Sequence, residues 1–345
     1  MQNNLPTPIT YRYSLLTQYD LGHNWVMTVG YQGSLSRHYT RQQNENLYFS
    51  PLNPAAQQLI LFTNDVNGSY NALLTEVQHR FSSQFELDAQ YTFARAEDNQ
   101  SQDFETGTFP FSQRAEWGPA DYNVKHNFKL WGVWTPKFFS GERAWLDKIV
   151  GGWTVTGILN AHTGFPWTPV YNVQVTDASG ASTCGLVYPN SNYCTVRPAA
   201  YLGGALSDYS NDGFKRAGGN FPNGATSYFT PPTIVGGVPT APGVARNSFW
   251  GPRYSSVDVT LGKAFGLPHL PVLGENAKID IRANFYNIFN QTNVVPFNNS
   301  QQTIGTLNVN EITGTQTVTS PNGTFGQGLN ALAGRVIELQ ARFSF

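Results

Sequence analysis

Residues 336–345 read Val336-Ile337-Glu338-Leu339-Gln340-Ala341-Arg342-Phe343-Ser344-Phe345. Side chains on a β-strand repeat every two residues, so Ile337, Leu339, Ala341, Phe343 and Phe345 share one face. Glu338, Gln340, Arg342 and Ser344 share the other. Two settings produce such a strand: a membrane-spanning sheet with lipid on one side and water on the other, or an edge strand of a soluble sandwich. The rest of the chain decides between them.

The chain has 345 residues, of which 40% are hydrophobic, 14% aromatic and 12% charged. An average soluble domain is about 25% charged. A net charge of -1 with no Lys/Arg cluster excludes a nucleic-acid partner, because phosphate binding needs grouped cations. No apolar run approaches the roughly 20 residues of a spanning helix, so a membrane crossing falls to strands. The opening Met1-Gln2-Asn3-Asn4-Leu5-Pro6 has neither the basic nor the apolar region of a signal peptide. A barrel protein needs such a peptide for export, so the chain is expected to be the C-terminal piece of a longer precursor.

About nine strands are expected, over 9–21, 24–33, 68–81, 84–95, 122–136, 152–165, 254–265, 277–289 and 335–345. Alternation is nearly unbroken where Phe85, Leu87, Ala89, Tyr91 and Phe93 oppose Gln84, Glu86, Asp88, Gln90 and Thr92. Short turns near Gly22, Ser82 and 266–276 and a moderate one at 137–151 alternate with long connections near 34–67, 97–121, 166–253 and 290–334. Outer-membrane barrels segregate short periplasmic turns from long extracellular loops in this way, and a soluble sandwich has no reason to.

Charge placement is an independent criterion. Arg12, Asp20, Glu76, Arg80, Glu86, Asp88, Lys129, Asp258, Lys278, Asp280, Arg282, Glu338 and Arg342 fall opposite the apolar set. A Lys or Arg facing lipid at the midplane costs roughly 2–4 kcal/mol, which explains the bias. The exceptions Arg95, Lys263 and Arg335 fall near strand ends, where the head group can snorkel. The expected fold is therefore an all-β, antiparallel transmembrane β-barrel in the bacterial outer membrane, in contact with its lipid. An odd strand count leaves open edges near Tyr11 and Phe343, so the isolated chain is not expected to close. Tyr11, Trp25, Tyr31, Tyr91, Trp134, Trp153 and Trp167 are expected at the aromatic girdles.

Motifs of other chemistry are missing from the sequence. Gly203-Gly204 and Gly218-Gly219 lack the strand-to-helix setting of a phosphate loop. The six histidines have no metal-ligand spacing, and no Gly-x-Ser-x-Gly elbow occurs. No enzyme activity and no cofactor are expected. On neighbouring strands Glu76, Arg80, Glu86 and Asp88, with Asp280 and Arg282 further on, are candidates to hold a plug in the lumen or simply form a solvated inner wall. Cys184 and Cys194 lie in a Gly/Ser/Asn/Pro-rich stretch and suit a loop disulfide outside the cytoplasm.

Several strings resemble the C-terminal barrel of TonB-dependent outer-membrane receptors, particularly the Oar-like group. They are Tyr70-Asn71-Ala72-Leu73 leading to Arg80-Phe81, Gly151-Gly152-Trp153, and Thr163-Gly164-Phe165-Pro166. Then follow Arg246-Asn247-Ser248-Phe249-Trp250-Gly251-Pro252, Phe285-Tyr286-Asn287-Ile288-Phe289-Asn290, Phe325-Gly326 and the aromatic terminus. The match covers residues 70–345, and residues 1–68 fit by pattern only. The resemblance implies a 22-strand barrel around an N-terminal plug whose TonB box couples uptake to the inner membrane. This chain shows no plug and no TonB box, so the TonB complex would be reached only through the missing part. The resemblance also implies that barrel-assembly machinery reads Phe343 and Phe345, and that the ligand is a scarce, bulky oligosaccharide, oligopeptide or metal chelate. The alternative is a passive structural or adhesive barrel that presents surface loops.

The cysteines give a direct test. A closed loop from Cys184 to Cys194 contributes ~3 kcal/mol in the chain-entropy view. A thiol assay on the denatured, unreduced protein is expected to find no free thiol, and two reactive thiols would refute the bridge.

Overall fold

A computed structural model describes residues 5–44, 60–79, 84–101, 109, 112–137, 150–176, 182–184, 195–203, 225–235, 238–266, 277–297 and 299–344. Twelve strands are labelled here in chain order. They are β1 Ile9–Gly22, β2 Trp25–Asn44, β3 Ile60–His79, β4 Phe85–Asp98, β5 His126–Trp134, β6 Trp153–His162, β7 Val170–Thr176, β8 Tyr254–Gly266, β9 Lys278–Tyr286, β10 Thr303–Asn310, β11 Thr315–Thr319 and β12 Val336–Ser344.

Nine of these form one antiparallel wall in the order β1-β2-β3-β4-β5-β6-β8-β9-β12, and Gly118–Pro119 adds a short rung beside the end of β4. The register carries the sequence pattern across the whole wall. Leu15, Tyr31, Leu73 and Phe93 lie side by side, as do Ala89, Leu130, Leu159 and Val257, and then Val259, Phe285 and Ile337. All are on one face, because directly opposed residues of an antiparallel pair share a side. The other face carries the row Gln18, Thr28, Glu76, Gln90, Lys129, Asn160 and Ser256. A slip of one residue in any ladder would exchange the faces of that strand, so the alternation itself selects the register.

Trp25, Phe85, Trp134 and Trp153 stand at the short-turn end of the apolar face, and Tyr91, Phe93 and Phe128 stand towards the other end. Phe85 and Phe93 are eight residues apart along β4, roughly 27 Å of strand. The exceptional cations behave as expected at strand ends. Lys263 lies 5.0 Å from the Trp153 ring centre and 5.1 Å from that of Phe265, and Arg95 pairs with Glu97 at 2.6 Å. At the first hairpin the two turn residues are His23 and Asn24, with φ of 52° and 67°. Gly22 pairs with Trp25 and donates its amide to Asp20 Oδ1 at 2.8 Å. Positive φ at both turn positions matches the twist of the strands, which is why the loop needs only two residues.

The connection expected over 34–67 is largely strand. β2 runs on to Asn44 and β3 begins at Ile60, with register shifts between Ser36 and Arg41 and a positive φ of 62° at His38. The bulge moves the alternation out of phase, the β2 half of the extension is mostly polar, and the β3 half opens on the contiguous Ile60-Leu61-Phe62, so the two-residue period disappears from the sequence while the ladder continues.

A larger correction concerns 166–253 and 290–334. These segments, expected as loops, contribute a second sheet. β7 is its centre, with β10 parallel on one side and the short strands Ser182–Cys184 and Thr195–Val196 antiparallel on the other, and β11 extends β10. Tyr171, Val173 and Val175 of β7 and Ile304, Leu307 and Val309 of the 303–310 strand enter a core with Trp167, Val196, Phe229, Phe249 and Phe325. Each such side chain contributes about 1.5–3 kcal/mol when fully buried. The Tyr171 hydroxyl donates to the Phe229 carbonyl at 2.8 Å inside this core, and burial pushes its phenol above the ordinary tyrosine range. The segments look like loops because Gly, Pro and Asn separate strands of only five to eight residues that pair with partners far away in sequence.

The strings Thr163-Gly164-Phe165-Pro166 and Arg246-Asn247-Ser248-Phe249-Trp250-Gly251-Pro252 meet in space and join this cap to the wall. Phe249 pairs with Trp167, Trp250 with Pro166, and the Gly251 amide donates to the Phe165 carbonyl at 2.8 Å. A Cβ on Gly164 would collide with the Gly251 carbonyl, which leaves glycine as the residue that fits. Arg246 Nη1 bonds Asp98 Oδ1 at 2.9 Å at the end of β4, and its Nη2 donates to Ser101 Oγ at 2.9 Å. Asn247, held at a φ of 54°, donates to the Pro119 carbonyl at 2.8 Å and to Asp121 Oδ1 at 2.6 Å. Deeper inside, Arg197 Nη2 lies 3.0 Å from Glu116 Oε1, with both side chains only 1% exposed.

Two outcomes follow from this architecture. Leu159→Arg on the apolar face of β6 is expected to lower stability in lipid vesicles by about 2–4 kcal/mol, whereas Ile158→Arg at an exposed position of the opposite face stays within about 1 kcal/mol. Urea unfolding of both variants decides this, and equal losses would contradict the assignment of faces. Arg197→Met removes the guanidinium beside the buried Glu116 carboxylate and is expected to cost about 3–5 kcal/mol, read as proteolysis of the cap. Adding Glu116→Leu is expected to restore much of the protection; an Arg197→Met cap as resistant as the parent would refute this role for the pair.

Candidate functional site

The site follows from the polar face of the wall, which is the lumen side of the expected barrel. Glu76 of β3 and Gln90 of β4 are directly opposed, as are Gln78 and Asp88. Gln78 Nε2 donates to Glu76 Oε1 at 3.2 Å and to Asp88 Oδ2 at 3.0 Å, while Gln90 Nε2 donates to Glu76 Oε1 at 3.0 Å. Two carboxylates are thus bridged by two amides rather than by arginines. Each amide supplies a polarised hydrogen bond but no countercharge, so the patch keeps its negative character.

Next to it the wall presents acceptors without donors. Asp88 Oδ1, Asn127 Oδ1 and Asn160 Oδ1 are buried atoms with no hydrogen-bond partner among the described residues. Buried polar atoms are nearly always paired, so these three oxygens stand out within the wall itself. Lys129 stands in the same row, between Gln90 and Asn160.

Glu76, Asp88, Glu86, Asp280 and Arg282 all occupy the polar face, and Arg80 lies outside the described residues. The structure unites Glu76 with Asp88 through the amides. Asp280 is opposed by Arg342 and has Lys278 at 3.8 Å, and Arg282 is opposed by Gln340. Those two residues lie on β9, four strands away from β4 in the wall, and form no common cluster with Glu76. Phe343 faces the apolar side opposite Ile279, while Phe345 lies outside the described residues. The Cys184 backbone closes the strand Ser182–Cys184, and Cys194 lies outside the described residues, so their pairing stays a proposal.

At the long-connection end, β2 to β4 enclose a recess of about 250 Å³ whose lining includes Ser34, Ser36, Tyr70, Asp98, Ser101 and Tyr122. Its carboxylate is Asp98, already joined to Arg246. Sequence reading missed this rim and the buried Arg246, Asn247, Arg197 and Glu116. The string 246–252 was visible as a resemblance, but an arginine next to an apolar pair reads as surface until its partner Asp98, 148 positions away, is placed beside it. Among the described residues no group of three metal-ligating side chains comes together.

Three solved outer-membrane proteins are similar to the chain at low identity. The outer membrane transporter YddB from Escherichia coli shows 10% identity and a TM-score of 0.49, covering 98% of this chain and 33% of that one. P. aeruginosa FpvA, solved bound to heterologous pyoverdines, shows 10% identity and a TM-score of 0.38, with 97% and 26% covered. The ferric-catecholate import receptor Fiu from K12 E. coli shows 9% identity and a TM-score of 0.39, with 97% and 27% covered. The chain spans about a third or less of the length of each. No curated protein matches its sequence. The sequence of residues 1–335 matches the outer membrane beta barrel domain family. The chain therefore belongs to the outer membrane beta barrel domain family and is part of a bacterial outer-membrane barrel.

Proposed function

We propose that the chain is the C-terminal wall of a TonB-dependent receptor that carries a bulky, scarce ligand across the outer membrane. The observation that carries this reading is the wet face of the wall, where Glu76 and Asp88 are bridged by the Gln78 and Gln90 amides rather than by cations. A plug or a passing ligand that carries donors or cations would match this negative patch. In this reading Glu76, Arg80, Glu86, Asp88, Asp280 and Arg282 contact the plug, and the TonB complex acts through that plug. The connections near 34–67, 97–121, 166–253 and 290–334 face the exterior, Cys184 and Cys194 are bridged, and Phe343 with Phe345 is the assembly signal. The ligand classes in view remain an oligosaccharide, an oligopeptide or a metal chelate.

The folded cap favours a second reading. A unit with its own aromatic core, clamped to the rim, also suits a passive barrel that presents a stable surface. The two readings differ in one measurement. Outer membranes from cells carrying the entire reading frame around this chain are incubated with the periplasmic domain of TonB and chemically cross-linked. The receptor reading predicts a cross-linked product that disappears when the polypeptide preceding the chain is deleted. Absence of any product from the intact protein would favour the passive barrel.

A further inference from the structure

The recess at the long-connection end of β2, β3 and β4 opens on the wet face of the wall. Ser34 stands opposite Tyr70, Ser36 opposite Gly68, and Gly68 opposite Asp98, in the same alternation that places Glu76 and Gln90 on that face. Tyr70 is six residues from Glu76 along β3, roughly 20 Å of strand toward the long connections. At Gly68 the missing side chain leaves room: a Cβ there would meet no atom closer than 3.5 Å.

Its charged groups are already satisfied within the protein. Asp98 accepts Arg246 Nη1 at 2.9 Å, has Ser101 Oγ 3.0 Å from each carboxylate oxygen, and accepts the Tyr122 hydroxyl. Beside the recess Arg37 donates to the Ser36 and Gly68 carbonyls at 2.8 and 3.2 Å. No lysine or arginine is among the described lining residues. The hydroxyls of Ser34 and Tyr70, by contrast, bond no other described residue. Two further tyrosines of the lining have their hydroxyls tied down, Tyr122 on Asp98 and Tyr39 at 2.8 Å from Thr10 Oγ1. Their rings stay 62% and 43% exposed.

We propose that this recess holds the end of a neutral oligosaccharide, a ligand that rests on the receptor reading above and singles out one of its three classes. A hydroxyl is donor and acceptor at once, so the Ser34 and Tyr70 hydroxyls match the ring hydroxyls of a sugar, while a tethered tyrosine ring offers a flat apolar face to its C–H side. The volume of about 250 Å³ falls below the roughly 300–1,000 Å³ of drug-sized sites, which suits one or two sugar rings at the end of a longer chain. An anionic chelate or a phosphorylated sugar finds no free cation among the described lining residues. An extended peptide finds no free strand edge, because β2, β3 and β4 pair with one another here, and no aliphatic side chain beyond Val66 among those residues.

The test uses protein expressed from the entire reading frame and purified from outer membranes in detergent. Titration calorimetry is run with neutral hexasaccharides of α-glucose, β-glucose, β-xylose and β-mannose, and with ferric citrate and an Ala/Ser hexapeptide as the other two ligand classes. At least one hexasaccharide is expected to bind. Tyr70→Phe and Ser34→Ala, which remove one hydroxyl each, are expected to weaken it about fivefold, and Gly68→Trp, which fills the recess, to abolish it. Heat-modifiable migration on gels shows that each variant remains folded. Binding of no hexasaccharide, or equal binding by the parent, Tyr70→Phe and Gly68→Trp, would overturn the site. Binding of ferric citrate or the hexapeptide that Gly68→Trp abolishes would overturn the saccharide assignment. The TonB cross-link, measured on the same protein, separates the two claims: a cross-link without saccharide binding sinks the site and leaves the receptor reading, whereas recess-dependent saccharide binding without a cross-link keeps the site and removes the receptor reading.

Discussion

Within lipid no water is present to receive a backbone hydrogen bond, so every N–H and C=O of a spanning strand must be satisfied by the strand beside it. That demand organises the molecule. It makes each wall strand a neighbour of the next in one continuous antiparallel ladder. It also forces the side chains to choose between two media at every residue. Leu130, Leu159 and Val257 on one side and Lys129, Asn160 and Ser256 on the other are neighbours in sequence but occupy different solvents. The cost of placing a charge on the wrong side keeps that choice consistent across all nine strands.

Beyond the membrane the constraint relaxes and different physics takes over. The cap is held by burial of aromatic and aliphatic side chains around Trp167, Phe229 and Phe249, as in a soluble domain. Its attachment to the wall is polar and local. Arg246 reaches Asp98, Asn247 reaches Pro119 and Asp121, and Gly164 allows the two strings to approach closely. The rim recess, through Asp98, and the wall therefore meet the cap at one junction built on Arg246 and Asn247.

The wall was legible in the sequence because its signal is local. Nine stretches of alternating residues, their charge bias and the turns between them can be read without knowing which strands are partners. The face of every charged residue named from the sequence and described here agrees with the register. The extensions of β2 and β3 were not legible, since a bulge near His38, the mostly polar end of β2 and the unbroken apolar run Ile60-Leu61-Phe62 erase the two-residue period. Nor was the cap, whose central strand Val170–Thr176 alternates buried and exposed residues but pairs with Thr303–Asn310 more than a hundred positions away. The lumen patch was half legible: the carboxylates of Glu76 and Asp88 were visible, but their bridging by Gln78 and Gln90 depends on register.

The central claim is that one wall separates lipid from water residue by residue, and spin labels along β6 measure this most directly. Single nitroxides at positions 154–161, in vesicles and with the two native cysteines replaced by serine, report accessibility to oxygen and to a water-soluble nickel complex. The account predicts a two-residue oscillation, with Val155, Gly157, Leu159 and Ala161 favouring oxygen and Thr154, Thr156, Ile158 and Asn160 favouring nickel. A profile without that period, or with its phase reversed, would contradict it.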